Sequence, residues 1–124
     1  MAEKKRILVI DDDPDIVSSI KIILETEGFK VLTATNGEEG IAAYKKNSPD
    51  LVLCDMMMES IDAGTKVASA IRNESVSVPL YLLSSIGDAT ATNIEIDKLG
   101  FSGVFQKPVS AKHLTSALKK TLGI

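Results

Sequence analysis

Four short apolar runs, at 7–10, 51–54, 80–83 and 104–106, punctuate a chain whose intervening segments repeat apolar residues at three- and four-residue intervals. That alternation predicts strands of one parallel sheet with helices packed on both faces. Asp13-Pro14 supplies a helix N-cap followed by proline at the first helical position. Ile16, Val17, Ile20, Ile23 and Leu24 then fall on one helical face, and Gly28 ends the helix. Lys30–Ala34 is short and strand-like, and Asn36 with Glu39 has the capping-box spacing that opens a second helix to about Lys46. Pro49-Asp50 leads into the strand that ends at Asp55, and a third helix is expected from near Gly64, turning Val67, Ala68 and Ile71 inward. Val78-Pro79 precedes the fourth strand. Over 88–99 a helix is expected only on a thin apolar pattern, because Thr90, Thr92 and Asn93 are poor helix formers. Gly100 stops it, a fifth strand runs to Gln106, and Ser110 caps a last helix that carries Leu114, Ala117, Leu118 and Leu122.

Five strands alternating with five helices leave few windings once crossovers must be right-handed. The natural one is a doubly wound α/β sheet of flavodoxin-like order 2-1-3-4-5, whose topological switch point lies between the first and third strands. In such a sheet the groups that follow the strands share one edge, where ligands bind. Those groups are Asp11-Asp12, Asp55, Ser84 and Lys107.

Composition narrows the function classes. The 124 residues suit one domain, 1–124, with no separate output domain, and they are enough for a single buried core. No apolar stretch is long enough for a membrane span, and the run after the basic start stops at Asp11, too soon for a signal peptide. A cytoplasmic protein without membrane insertion is expected. The one cysteine excludes an internal disulfide, and a net charge of -3 gives no nucleic-acid footprint.

Three carboxylates a few ångströms apart repel each other by about 3 kcal/mol per pair at ~5 Å and an effective dielectric of ~20. A proton or a cation relieves that cost. Oxygen ligands with no histidine or cysteine nearby suit Mg²⁺, which binds through carboxylates, waters and often a phosphate. Lys107 adds positive charge, and Ser84 can donate a hydrogen bond to a phosphoryl oxygen. One of the three carboxylates can itself be a nucleophile, since aspartyl phosphates are established intermediates. The residue types leave open which one.

From Arg6 to Leu122 the chain resembles the response-regulator receiver domains of two-component signalling. The likeness rests on Ile7-Leu8-Val9-Ile10 followed by Asp11-Asp12, on Pro49-Asp50-Leu51-Val52-Leu53-Cys54-Asp55, on Leu83-Ser84-Ser85 and on Lys107-Pro108. The resemblance implies Asp55 as phosphoacceptor, Asp12 as a direct Mg²⁺ ligand, Asp11 acting through water, and the Met57 carbonyl as a further ligand. It implies that Ser84 contacts the phosphoryl group and that Lys107 pairs with it, through a Lys107-Pro108 bond that is often cis in the family. The donor would be a phosphohistidine of a histidine kinase or phosphotransfer protein. The output would be a conformational change read by an unidentified protein target, in a signalling domain rather than an enzyme, as a monomer or weak homodimer.

The sequence also departs from the family pattern. Met58-Glu59 and Ala63-Gly64 replace the usual methionine-proline and glycine. The switch aromatic three residues before the lysine is Val104, and Phe105 beside it is expected on the opposite face of the strand. The usual coupling is therefore missing or rerouted. Met57 and Ile86 flank the expected path of an attacking water and are apolar, which predicts a long-lived phosphoryl group. Cys54, His113 and Met58 are expected to serve packing. Two other functions compete: a receiver-fold binding module independent of phosphorylation, and a haloacid-dehalogenase-type phosphatase. The second would want Asp11 as nucleophile and Asp13 as acid–base, but Pro14 intervenes, Asp15 holds the place of a Thr or Val, and no later acidic pair matches.

Overall fold

The structure is a computed structural model that describes residues 4–55, 63–74, 77–84, 101–106 and 109–123. Its five strands are β1 (Arg6–Ile10), β2 (Lys30–Ala34), β3 (Leu51–Asp55), β4 (Leu80–Ser84) and β5 (Gly103–Gln106). All pair in parallel, in the order β2-β1-β3-β4-β5. The described helices are α1 (Pro14–Thr26), α2 (Gly37–Asn47), α3 (Ala63–Glu74) and α4 (Ala111–Leu122). Four helices are thus seen where five were predicted, and the expected one over 88–99 lies outside the described residues.

Strands buried on both faces read as continuous apolar runs, and successive side chains divide between the two faces. Leu8, Ile10, Val52, Cys54, Leu80 and Leu82 form one core with Tyr44 of α2 and with Val67, Ala68 and Ile71 of α3. Ile7, Val9, Leu51, Leu53, Leu83 and Phe105 form the other, with Ile20 and Leu24 of α1 and with Leu114 and Leu118 of α4. α1, α3 and α4 are therefore each held by two or three fully buried aliphatic or small side chains, and α2 by Tyr44 with the partly buried Ile41 and Ala43; a buried Leu or Ile contributes ~1.5–3 kcal/mol.

Local chemistry sets the helix ends. Asp13 caps α1 by accepting the Asp15 N–H at 2.9 Å, and Gly28, at φ +92, supplies the left-handed exit. Asn36 caps α2 by accepting the Glu39 N–H at 2.7 Å. The capping box closes on one side only, since the Glu39 carboxylate accepts from the Thr35 hydroxyl at 3.2 Å. Ser110 caps α4 through the His113 N–H at 3.4 Å.

Two hydrogen bonds align the amino ends of β1 and β3. The Arg6 N–H donates to the Asp50 carboxylate and the Asp50 N–H to the Arg6 carbonyl, both at 2.8 Å. Ile7 then pairs with Leu51 and Ile10 with Cys54, so the next step brings Asp11 level with Asp55. α2 lies close over this end of β1. A Cβ on Gly40 would come within 2.6 Å of the Ile10 side chain.

Candidate functional site

Each candidate position among the described residues sits where a strand stops. Asp11 follows β1, and its N–H donates to the Ala34 carbonyl at 3.1 Å, which continues the sheet one residue past the strand. Its carboxylate is fully buried and accepts the Asp13 N–H at 3.0 Å. Asp55 is the last residue of β3 and only 6% exposed. Asp12 is exposed. Of these three acids two are buried and one lies at the surface.

Carboxylate oxygens of Asp11, Asp12 and Asp55 lie within 4.8 Å of one another. At that separation and an effective dielectric of ~20, one unscreened pair costs about 3 kcal/mol. The exposed Asp12 is screened by solvent, so most of the strain falls on the Asp11–Asp55 pair. The donor set consists of oxygen alone, which fits a small hard cation with room for water or phosphate oxygens. This is the acidic cluster that the strand-end pattern predicts.

Ser84 ends β4 at the same sheet edge, with Gln106 as its register partner on β5. Lys107 follows Gln106 in sequence and lies outside the described residues, as do Met57, Met58, Glu59 and Ile86. The structure therefore brings together the three acids and sets the end of the Ser84 strand beside them. Val104 packs against the core that contains Leu82, while Phe105 is 3% exposed in the opposite core, so the two side chains face as expected. Cys54 is buried on the Leu82 side, its thiol donating to the Asp55 carbonyl at 3.3 Å. The His113 ring meets Phe105 edge-on at 5.5 Å, a packing role.

The sequence marks Asp13 as a helix cap and Asp50 as the lead into a strand, but not the supporting roles that the structure gives them. Asp50 fixes the β1–β3 register, and the Asp13 backbone orients the Asp11 carboxylate. For Asp50 the available signal was an acid directly before a buried strand. Nothing in the residue types announces the Asp13 N–H.

Comparison with known proteins places this geometry. Residues 7–119 match the family model of the response regulator receiver domain. The "Probable transcriptional regulator ycf27" of Pyropia yezoensis is 37% identical over 126 residues, covering 97% of this chain and 48% of the relative. The alkaline phosphatase synthesis transcriptional regulatory protein PhoP of Bacillus subtilis is 32% identical, covering 95% of this chain and 48% of its own length. This chain thus spans about half the length of the curated relatives it matches. Among solved structures, a response regulator receiver domain protein from Clostridium thermocellum superposes with a TM-score of 0.85 at 32% identity, covering 96% of this chain and 94% of that one. The fold, the acid cluster at its switch point and the match over nearly the whole length agree: the chain belongs to the response-regulator receiver domains of two-component systems.

Proposed function

We propose that Asp55 accepts a phosphoryl group from a phosphohistidine of a histidine kinase or phosphotransfer protein. The observation that carries this reading is the approach of Asp11, Asp12 and Asp55 within 4.8 Å at the ends of β1 and β3, with Asp55 almost wholly buried. A carboxylate oxygen of Asp55 attacks phosphorus. The phosphorus–nitrogen bond of the donor breaks, and the departing imidazole keeps the electron pair and takes up a proton. The product is an acyl phosphate on Asp55.

A phosphoryl group brings ~2 negative charges into a site that already holds three carboxylates. Asp11, Asp12 and Asp55 would hold Mg²⁺ together with the Met57 carbonyl. When bound, this ion neutralises charge on the transferring phosphoryl oxygens. Lys107 pairs with the phosphoryl group and the Ser84 hydroxyl hydrogen-bonds to it. Asp55 in its buried setting keeps bulk water from the acyl phosphate, and the apolar Met57 and Ile86 cannot orient a hydrolytic water. The domain assists its own phosphorylation and dephosphorylation and signals by contact with a protein target.

Intact-protein mass after incubation with acetyl phosphate tests the reading. One phosphoryl increment that requires Mg²⁺ and is lost in Asp55→Asn is the expected result. No increment with either acetyl phosphate or a phosphohistidine donor would overturn it in favour of a binding module that does not depend on phosphorylation.

A further inference from the structure

Across β3, β4 and β5, Asp55, Leu83 and Phe105 are successive register partners. Strands lie ~4.8 Å apart, so the Phe105 backbone is about 10 Å from that of Asp55, with one leucine between. Register partners point to the same face of a sheet, and Leu83 and Phe105 both lie in the core beneath α1 and α4. The row does not end at the strand. Phe105 meets the Tyr81 ring at 5.1 Å and the His113 ring at 5.5 Å, the latter edge-on at 75°. His113 belongs to the first turn of α4, whereas the Tyr81 hydroxyl is paired at 2.7 Å with the hydroxyl of Thr121 in its last turn. The aromatic pair therefore touches α4 at both ends.

Among the described residues the opposite face carries no comparable relay. There Leu82 pairs with Val104, a small side chain packed against the other core. We propose that in this chain the state of Asp55 is transmitted to α4 through the Leu83–Phe105 row and read out at His113. Charge added at Asp55 displaces the end of the row, close packing leaves Leu83 and Phe105 no slack, and the ring on α4 registers the change. This inference rests on Asp55 being the acceptor. It adds the direction in which the signal leaves the site.

His113 is the sole histidine of the chain, so its imidazole Hε1 gives a single, unambiguous resonance. The experiment compares that resonance before and after acetyl phosphate with Mg²⁺, with intact mass measured on the same sample. The expected result is a displaced imidazole signal in the phosphorylated wild type, kept in Val104→Ala and lost in an equally phosphorylated Phe105→Leu. Should Phe105→Leu not fold, Phe105→Met conserves bulk without the ring and takes its place. An unmoved signal in fully phosphorylated wild type overturns the coupling, and so does a displacement that survives removal of the ring. A protein that gains no phosphoryl increment from acetyl phosphate or from a phosphohistidine donor instead overturns the acceptor reading, and the coupling with it.

Discussion

Replacing Asp55 by Asn should stabilise the metal-free protein, although it alters the residue on which the function depends. Asp55 and Asp11 are 6% and 0% exposed, and their oxygens approach within 4.8 Å. Their repulsion is about 3 kcal/mol at an effective dielectric of ~20, and it is absent from the extended unfolded chain. The amide keeps the shape of the carboxylate but is a weaker acceptor, which takes back about 1 kcal/mol. The net gain is about 2 kcal/mol. With an unfolding entropy of ~2.1 cal/mol/K per residue, this raises Tm by roughly 8 °C in a chain of this size. Urea unfolding in EDTA gives the free energy directly. In Mg²⁺ at ten times its Kd, the wild type should gain ~1.4 kcal/mol that the variant largely forgoes, so the gap narrows. Glu74→Gln is the control. This acid is half exposed in a 3.9 Å pair with Lys45, and its loss should change stability by less than ~0.5 kcal/mol. An Asp55→Asn protein less stable than wild type in EDTA would refute the account of the cluster as a site of stored repulsion.

Three other outcomes follow from the same structure. Gly40→Ala gains helix propensity but sets its methyl 2.6–2.9 Å from three atoms of Ile10, so overpacking of ~1–3 kcal/mol should leave it destabilised. In urea unfolding, the double variant with Ile10→Ala should be at least ~1 kcal/mol more stable than the two single changes sum to, and additivity would contradict the contact. Asn36→Ala removes the 2.7 Å cap of α2 and should cost ~1 kcal/mol by the same measurement, where an unchanged midpoint would show the cap to be inert. Met57→Asn and Ile86→Glu each place a hydrogen-bonding group on the expected path of the hydrolytic water. Both should shorten the phosphoryl lifetime several-fold, as followed by decay of the mass increment, and unchanged decay in both would falsify the apolar-flank argument.

The strands were legible because their borders are chemical. β3 runs from Leu51 to Asp55 as the sequence predicts, since Pro49-Asp50 and the buried acid bracket an unbroken apolar run. The same logic located Asp11, Asp12 and Asp55, because a parallel sheet must deliver its strand ends to one edge. The α1 face was legible too: Ile20 and Leu24 are buried, and Ile16, Val17 and Ile23 pack beside them. The cross-strand row from Asp55 to Phe105 was not. Runs that are apolar on both faces fix a strand's place in the core but carry no mark of its register against its neighbour. The contact between α2 and Ile10 was equally hidden, its only trace being an interior helix glycine at 40.

The claim that Asp55 carries the phosphoryl group is tested most directly by borohydride reduction of the phosphorylated protein, followed by peptide mass mapping. Hydride converts an acyl phosphate to the alcohol and releases phosphate, leaving homoserine where the aspartate stood. The account predicts homoserine at position 55, dependent on Mg²⁺ during phosphorylation, with Asp11 and Asp12 intact. Homoserine at position 11 or 12, or reduction at none of the three in a protein that had gained the phosphoryl mass, would contradict it.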